Sequence, residues 1–434
     1  MSMLSIAASG LTATQLVMNT ISENVANTTT DGYSRKTATL QTTADGGVTV
    51  SNIERVVDSY LNTQLWNANS TEGYYTSYNE YVSSADDTLS SDSMGVTTLL
   101  DSFYSALSAA SASPDDDSLR EAVVSSAESL SEGFNWISEN LSSQSDSISS
   151  EISNDVESIN DLTSSIASLN SQITSLKAQG GDTSSLEDSR DSAVSSLSSL
   201  LNVNVTQQDD GSYSITLAQG QPLVSGDTAS TVTANNDDSL SISYNNQTFT
   251  AGDDLGGEIG GLIDYQNDIL TPTLDSLNTL AAQIADEFNS QQSSGYDLNG
   301  TAGTALFSYD SSDAAATLSV SSSFTSDDLA FSGEATADSS SNTNLLSMLD
   351  LQSDQTSAYS SILQTVADKS SSVSASLSAS SDLVDSATSS ISSVSGVNSD
   401  EEAANLLTYQ EAYEANAKVV TIASDLFDTL INMF

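Results

Sequence analysis

Apolar residues near the start of the chain recur in two interleaved series with a spacing of seven. The first series is Leu4, Leu11, Met18 and Val25, and the second is Ala7, Thr14 and Ile21. This spacing is typical of the a/d seam of a coiled coil. A Thr- and Gly-rich turn region follows, and the alternation of Val48, Val50 and Ile53 then predicts a short strand or an extended arm.

The interior of the chain is predominantly helical in pattern. Helical spacing runs from about Tyr60 to Ala112, and Pro114 with the three aspartates after it marks a new helix start. A long helix then carries isoleucines and leucines seven apart, and Gly180-Gly181 ends it. A second helix, capped by Asp182 or Ser184, predicts an antiparallel helical hairpin. The heptad residues of the long helix are Ile152, Ile159, Ile166 and Ile173 with Leu162, Leu169 and Leu176.

Between Asn202 and Thr250 the apolar period changes from seven to two. Turn signals at Asp210-Gly211 and Asn245-Asn246 separate the alternating runs, so the sequence predicts β-hairpins. A helix resumes after Gly256-Gly257, and we expect Pro272 to kink it. The stretch Gly295–Asn344 is polar and only weakly strand-like.

Heptads return in the C-terminal part of the chain and break at Gly396. Ser399 and Glu402 then predict a capping box at the start of a final helix. Polar Thr14 and Asn416 in the two end seams favour a specified register or a subunit contact over a bulk core. The final helix carries one series of Leu406, Tyr413, Val420, Phe427 and Phe434, and a second of Tyr409, Asn416, Ala423 and Leu430.

Both end helices require an apolar partner, because an isolated amphipathic helix is marginal in water. The simplest arrangement pairs them with each other; the alternative makes them ordinary bundle helices of one globular domain. The expected fold is mainly α with a β-rich inserted domain: terminal helices paired as a coiled coil, a helical bundle, and an outer β domain. The expected segments are an N-terminal axial helix with a signature loop (1–45), the first part of a helical bundle (46–201), a β-rich hairpin domain (202–255), a helix returning to the bundle (256–294), an outer polar segment (295–344), the second part of the bundle (345–395) and a C-terminal axial helix (396–434).

Composition excludes several classes of function. The chain has no His and no Cys, which removes the commonest general base, the best zinc ligands and the thiol nucleophile. Its formal net charge of −51 opposes binding to nucleic acid and to anionic membranes. Asp115–Asp117 lack the alternating spacing of a calcium loop. We therefore predict no enzyme, no metal and no cofactor, and the sequence shows no cleavable secretory signal and no membrane span.

The segment NVANTTTDGYSR resembles a signature shared by flagellar rod, hook and hook-associated proteins, roughly Asn-x-x-Ala-Asn-x-x-Thr-x-Gly-Tyr, which in the hook-associated protein 1 family continues Ser-Arg. One residue fewer separates the first Asn from the Ala here. The stretch from Asp400 to Phe434 resembles the C-terminal helix of the same family, and weaker similarity covers Gly220–Val224, Gly256–Leu270 and Gly295–Gly300. The residues that fill the signature are Asn24, Ala26, Asn27, Thr30, Gly32, Tyr33, Ser34 and Arg35.

Three of the signature residues have structural roles that follow from their chemistry. Asn27 can cap the first helix, Gly32 supplies a turn with positive φ, and Tyr33 is a half-buried anchor. The resemblance implies a structural subunit at the hook-filament junction, extracellular and exported through the flagellar type III apparatus. It further implies a homo-oligomer in a helical ring, the hook protein and the second junction protein as neighbours, and an export chaperone on the C-terminal helix.

Some features depart from the family pattern, and other functions stay open. The family usually has an apolar residue at Ser399 and more basic residues, and its longest members exceed this chain. We therefore expect a reduced outer domain, with Gly295–Asn344 as its remnant. Alternatives are a hook or distal-rod protein, an acidic extracellular adhesin or calcium-stabilised surface protein, and a carboxylate-based hydrolase on the axial scaffold. The heptads from Ile152 to Leu176 argue against hook and rod proteins, which we expect to be β-rich through the middle.

Overall fold

The computed structural model describes residues 3–235, 237–252, 254–336 and 340–433. Within these ranges the α-helices are α1 (Met3–Ala26), α2 (Ser59–Leu89), α3 (Val96–Ala110), α4 (Asp117–Ala178), α5 (Ser184–Leu200), α6 (Gly257–Tyr265), α7 (Thr271–Ser293), α8 (Ala314–Thr317), α9 (Thr343–Leu349), α10 (Gln352–Ser395) and α11 (Ser399–Ile431). A π-helical turn spans Gln266–Leu270 and a 3-10 turn spans Ser326–Asp328.

The strands are short, and the sheets that they form are antiparallel. The bounds are β1 (Lys36–Thr42), β2 (Val48–Arg55), β3 (Val203–Gln207), β4 (Tyr213–Leu217), β5 (Pro222–Ser225), β6 (Thr228–Ala229), β7 (Thr231–Ala234), β8 (Leu240–Tyr244), β9 (Gln247–Thr250), β10 (Phe307–Ser308) and β11 (Ser319–Val320). The sheets are β1-β2, β3-β4-β5-β6, β7-β8-β9 and β10-β11.

The chain divides into two compact units. Unit 1 consists of Met1–Tyr74, Asp155–Glu258 and Ser378–Phe434, and unit 2 of Tyr75–Asn154 and Ile259–Leu377. The helices α2, α4, α6 and α10 each contribute residues to both units. None of the helices in the described ranges has the length and apolar character of a membrane span.

Unit 1 contains the predicted helical hairpin and the predicted β-hairpins. Arg190 of α5 donates a 3.0 Å hydrogen bond to Asn170 of α4, which confirms that the two helices turn back on each other at Gly180-Gly181. Asn245 and Asn246 both have positive φ, the geometry that a tight β8-β9 turn requires. The sequence does not predict β1, β5 or β7, because β1 and β7 alternate threonine with few and small apolar residues, and β5 places Leu223 and Val224 side by side.

Asparagine side chains join helix α4 to the sheets of unit 1. The amide of Asn170 donates to the carbonyl of Tyr213 and accepts from its N–H, both at 2.9 Å. Asn160 pairs in the same way with Val232, at 2.9 and 2.8 Å. Each amide therefore replaces a neighbouring strand, so the buried backbone groups stay hydrogen-bonded where a helix covers the sheet.

Unit 2 is organised around an aromatic core. Phe103 of α3 lies 5.2 Å from Phe288 of α7 and 6.0 Å from Phe307, measured between ring centroids. Arg120 is buried and donates to the backbone carbonyls of Pro114, Ser326, Asp327 and Leu329. Burial lowers the pKa of Arg120 to about 10, against the opposing effect of nearby aspartates.

The polar segment 295–344 contributes buried apolar residues to unit 2. Leu306, Phe307, Leu329 and Phe331 are all at most 2 % exposed. The backbone of this segment is fixed by side-chain amides, because Asn289 pairs with both backbone groups of Phe307 at 2.9 and 3.0 Å. Its regular strands are only two residues long, which explains the weak strand signal in the sequence.

The starts of α11 and α7 lie where the sequence predicts a capping box and a kink. The expected capping box at Ser399 is wrong: Asn398 is the N-cap, and its side chain accepts from the N–H groups of Asp400 and Glu401. With Asn398 as the N-cap, Glu402 is the fourth helical residue and not the third, and its buried carboxylate accepts a hydrogen bond from Asn24 instead. At Pro272 the kink stays a prediction; the π-helical turn Gln266–Leu270 lies directly before α7, whose first turn contains Pro272.

Candidate assembly site

The first and last helices of the described chain lie against each other in antiparallel orientation. Gly10 of α1 faces Asn416 of α11, and Asn24 near the end of α1 faces Glu402 near the start of α11. The predicted pairing of the end helices is therefore confirmed. A β-carbon added at Gly10 would lie 2.8 Å from Oδ1 of Asn416, so the two helices approach closely at this point.

Only one of the two predicted heptad series, the one with Ala7, Thr14 and Ile21, lies on the buried face of α1. Ala7, Thr14 and Ile21 are buried, Leu11 and Met18 are partly buried, and Leu4 and Val25 are 46 % and 45 % exposed. Small residues allow close helix approach, whereas the larger leucines lie on the flank of the contact. The remaining buried positions, which the sequence missed, are Gly10, Ala13, Val17, Thr20 and Asn24.

On α11 the predicted series divides into a covered part and an uncovered part. Leu406, Tyr409, Tyr413, Asn416, Val420 and Ala423 are partly buried. Phe427 and Leu430 are 63 % and 55 % exposed. By the register of the pair, Met3 lies opposite Ala423, so residues 424–433 extend past the first described residue of α1. We call residues 424–433 the overhang; Phe434 lies outside the described residues.

Asn24 is the centre of a buried hydrogen-bond network. Its side-chain amide donates to the carbonyl of Lys36 at 2.9 Å and to Oε1 of Glu402 at 3.2 Å. Its Oδ1 accepts from the N–H of Lys36 and from the hydroxyl of Tyr33, both at 2.9 Å. Asn24 is 1 % exposed and Glu402 is 3 % exposed. One side chain thus holds the end of α1, the start of β1 and the start of α11 together.

The other signature residues shape the loop between α1 and β1. Asn27 follows the last residue of α1, Ala26, and donates from its side chain to the carbonyl of Glu23 at 2.9 Å. Thr30 donates from its backbone N–H to the carbonyl of Asn27, also inside the loop. Gly32 has φ of +74°, and a β-carbon there would lie 2.6 Å from Oγ of Ser192. The loop therefore requires glycine for both its backbone and its contact.

The last three signature residues connect the loop to its surroundings in unit 1. Burial raises the pKa of Tyr33 to about 12, and the negative charges of Glu23 and Asp188 add to this effect. Ser34 is buried, and its N–H points at Oδ2 of Asp188 at 3.4 Å. The N–H of Arg35 donates to the carbonyl of Ser395 at 2.8 Å, at the end of α10.

A cluster of ion pairs fixes the β1-β2 hairpin to α5. Arg55 at the end of β2 contacts Glu187 at 2.9 Å, Asp188 at 2.7 Å and Asp191 at 2.9 Å. Burial lowers the pKa of Arg55, but the charge of Asp191 and the hydrogen bond to Asp188 outweigh it, so the net shift is upward. Lys36 is buried and lies 3.4 Å from Glu23. A hairpin made of so few residues depends on these contacts for its position.

Sequence reasoning missed Glu402, Lys36 and Arg55 as partners of the signature. Their charge was the available signal, because the whole chain has only eight Lys and Arg residues. Three of the eight, Arg35, Lys36 and Arg55, lie within the β1-β2 hairpin or directly before it. Basic residues that cluster in such an acidic chain indicate a specific acidic partner surface.

Comparison with known proteins identifies the family. The model of the flagellar hook-associated protein FlgK helical domain matches residues 82–307, which is more than half of the chain. The chain belongs to the flagellar hook-associated protein FlgK family. The model of the flagellar basal body rod protein matches residues 4–33, and that of the flagellar basal body rod FlgEFG protein C-terminal region matches residues 388–433. The paired helices are thus the part with similarity to rod proteins, and the FlgK match lies between them.

Similarity to individual FlgK proteins extends over the whole chain. The chain is 28 % identical to flagellar hook-associated protein 1 of Escherichia coli strain K12, over 100 % of both chains, in an alignment of 544 positions. It is 25 % identical to the protein of the same name from Bacillus subtilis strain 168, over 97 % of this chain and 96 % of the other. An alignment of 544 positions against 434 residues means that the first relative has segments absent here.

A solved structure also resembles this chain. The flagellar hook junction protein FlgK from Burkholderia pseudomallei superposes with a TM-score of 0.51 and 29 % sequence identity. The superposition covers 58 % of this chain and 47 % of the solved chain, so the likeness spans about half of the solved chain. Membership in this family makes the chain a structural component of the bacterial flagellum.

Proposed function

We propose that this chain is the structural subunit that joins hook and filament at the hook-filament junction. The observation that carries the proposal is the FlgK match over residues 82–307, since the matches at the two ends are to rod proteins. A hook or distal-rod protein would account for the ends but not for the long helical middle.

Assembly in this proposal proceeds through the α1-α11 pair. The two helices cover each other only in part, and large apolar side chains remain exposed on both. On α1 these are Met3, Leu4, Ile6, Leu16 and Val25; on α11 they are Leu407, Ile422, Leu426, Phe427, Leu430 and Ile431, and Met433 follows the end of α11. Exposed apolar residues of this number are typical of a protein surface that a partner covers. The exposed leucines and other large apolar residues on the flanks of the pair then serve contacts between subunits, whereas the buried seam residues hold the pair itself together.

The partners follow from the same surfaces. We propose a helical ring of identical subunits, with the hook protein on one side and the second junction protein on the other. The chain would leave the cell through the flagellar export apparatus. A cytoplasmic chaperone would cover the apolar end of α11 before export, because an exposed apolar helix face invites premature association.

The test is a strain of the source bacterium that lacks this chain, examined by electron microscopy. We expect complete hooks without filaments, and filament subunits in the medium, because the filament has no base to grow on. Re-expression of the full chain restores attached filaments, and an antibody against it labels a band between hook and filament.

Two results would contradict the junction assignment. Filaments that remain attached in the deletion strain would show that the chain does not join hook and filament. Loss of the hook itself would instead place the chain earlier in the axial structure, in favour of the hook or distal-rod alternative. A deletion of the filament gene serves as the control, because it removes filaments but leaves nothing to leak into the medium.

A further inference from the structure

Half of the few basic residues of this chain lie inside the fold. Arg120 and Arg190 are 1 % and 0 % exposed, Lys36 is 6 % exposed, and the side chain of Arg55 is also 6 % exposed. Four of the eight Lys and Arg residues are therefore withdrawn from the surface, whereas the chain has 59 Asp and Glu residues. The net charge of −51 thus understates the excess of negative charge at the surface.

The buried cations are used by groups close to them in the fold. Lys36 and Arg55 pair with carboxylates of α1, of α5 and of the turn before α5. Arg120 and Arg190 donate to backbone carbonyls and to one side-chain amide. These four cations therefore neutralise few of the carboxylates at the surface.

Helix α4 carries exposed acidic residues without basic neighbours. Between Arg120 and Lys177 it contains no Lys or Arg. Three pairs of exposed carboxylates follow each other at a spacing of four residues, and within the described ranges none of them forms an ion pair with Lys or Arg. Residues four apart lie on one face of a helix, with β-carbons about 5–6 Å apart, so like charges there repel. The pairs are Asp117 with Glu121, Glu128 with Glu132, and Glu157 with Asp161.

Salt acts differently on the exposed and the buried charges. The distance over which salt screens a charge is about 10 Å at about 0.1 M and about 3 Å at about 1 M. Exposed carboxylates about 5–6 Å apart therefore repel in dilute buffer and are screened near about 1 M salt. The ion pairs of Lys36 and Arg55 are buried on the side of the cation, and buried pairs are screened much less. Salt thus weakens the repulsion more than the attraction, and its net effect is to stabilise the fold.

We propose that the folded state of this chain depends on high salt, and that α4 is the helix that responds. In dilute buffer the like charges along α4 weaken the helix, and salt near about 1 M removes this repulsion. The response comes from screening along a helix face and involves no specific ion-binding site. It belongs to the folding of the single chain, so it is independent of the junction role.

Urea unfolding of the full chain at a series of NaCl concentrations tests this dependence. Urea is uncharged and leaves the ionic strength unchanged, and circular dichroism follows the loss of helix. We expect the urea midpoint to rise at least about 1.5-fold between about 0.05 M and about 1 M NaCl. A midpoint that stays constant or falls over this range would overturn the proposal.

Variants that remove charge separate screening from the general effect of salt on apolar contacts. The test variant removes one member of each acidic pair on α4. It carries Glu121→Gln, Glu132→Gln and Glu157→Gln. The matched control removes three exposed acidic residues that have no acidic residue three or four positions away on their helices. It carries Glu80→Gln, Glu139→Gln and Asp275→Asn.

The two variants have the same net charge, so only the close pairs on α4 distinguish them. In dilute buffer the test variant should have the higher urea midpoint, because its repulsive pairs are gone. At about 1 M NaCl the two midpoints should coincide, because salt has screened the pairs that the control retains. Equal midpoints in dilute buffer would contradict the role of α4, and a difference that persists at about 1 M NaCl would contradict screening as its cause.

Calcium provides the last comparison. Micromolar calcium chloride in dilute buffer should leave the urea midpoint of the native chain unchanged, since it adds almost nothing to the ionic strength. A rise in the midpoint at that concentration would overturn the proposal in favour of a specific calcium site. None of these measurements involves filament attachment, so their outcome is separate from that of the junction function.

Discussion

Nδ2 of Asn24 donates a 3.2 Å hydrogen bond to Oε1 of Glu402, which joins two buried side chains that are 378 residues apart in the sequence. The same Asn24 side chain pairs with both backbone groups of Lys36 and accepts from Tyr33. The first signature residue therefore acts as the connection between the two ends of the chain.

Asn24→Asp is expected to destabilise the α1-α11 pair. The substitution removes the donor to Lys36 and Glu402 and places a second carboxylate beside Glu402. Leaving a buried polar group without a partner costs about 1–3 kcal/mol, and more for a charged group, so we expect a loss of about 3 kcal/mol. Hydrogen exchange of α1 and α11 amides measures it, because it reports the opening of these helices separately from the rest of the chain.

The control for this prediction is Asn19→Asp, which makes the same change at an exposed position of α1. It should leave the exchange of α1 nearly unchanged. Glu402→Gln in the Asn24→Asp background should recover part of the loss, because it removes the repulsion between two carboxylates. Equal protection of α1 in Asn24→Asp and Asn19→Asp would contradict the role of the network.

Gly32→Ala is expected to cost more than the same substitution at Gly46. Gly32 and Gly46 have φ of +74° and +80°, so alanine meets a similar backbone penalty of about 1–2 kcal/mol at both. Only at Gly32 would the β-carbon approach another side chain, Oγ of Ser192 at 2.6 Å. Thermal unfolding should show the larger loss for Gly32→Ala, and Ser192→Ala should recover the excess. Equal losses at the two glycines would show that the contact is unimportant.

The raised pKa of Tyr33 predicts that the folded chain loses stability at alkaline pH. An unfolded tyrosine loses its proton near pH 10.0, whereas burial raises the pKa of Tyr33 to about 12 in the folded chain. Because the folded state holds the proton more tightly, the stabilisation is fully present below pH 10 and is lost as the pH rises toward 12. Urea unfolding midpoints of the native chain and Tyr33→Phe should differ less at pH 12 than at pH 8.

The exposed Tyr60 provides the comparison for this pH series, since it is 67 % exposed. Tyr60→Phe should follow the native chain at every pH. A constant difference between the native chain and Tyr33→Phe from pH 8 to pH 12 would contradict the raised pKa.

Arg55→Met is expected to release the β1-β2 hairpin from α5. The substitution leaves Glu187, Asp188 and Asp191 close together without their shared cation. Removing one partner of a buried ion pair costs about 3–5 kcal/mol. Lys418→Met removes one positive charge at an exposed position and should cost almost nothing. Similar melting temperatures for the two variants would show that the cluster does not hold the hairpin.

The sequence predicted the long elements of this fold well, because their periodicity is strong. Heptads located the α4-α5 hairpin and the two end helices, and the turn at Asn245-Asn246 located a β-hairpin. Short strands such as β1 and β5 escaped detection, since β1 has only Ala38 and Leu40 as its apolar positions and β5 places two apolar residues side by side. Their positions are set by tertiary partners such as Asn24 and Asn170, which periodicity does not report.

The sequence predicts the signature residues of the candidate site, but it does not predict the residues that contact them. The motif identified Asn24, Gly32 and Tyr33, and the family resemblance gave the biological context. Spacing alone favoured large apolar residues for the seam, and so it selected Leu4 and Val25 where small residues face α11. Glu402 was assigned to a helix cap because local sequence suggested it, whereas a contact across 378 residues leaves no local trace.

The overhang provides the most direct test of the account as a whole. Leu426→Ser with Phe427→Ser removes two side chains that are 54 % and 63 % exposed, so the folded chain should keep its melting temperature and helical content. Leu383→Ser, at an equally exposed position on α10, is the matched control. The measurement is the fraction of hooks that carry filaments in cells expressing each variant. The account predicts near-native attachment for the control and bare hooks, with filament subunits in the medium, for the overhang variant; attached filaments at the native level in both would contradict it.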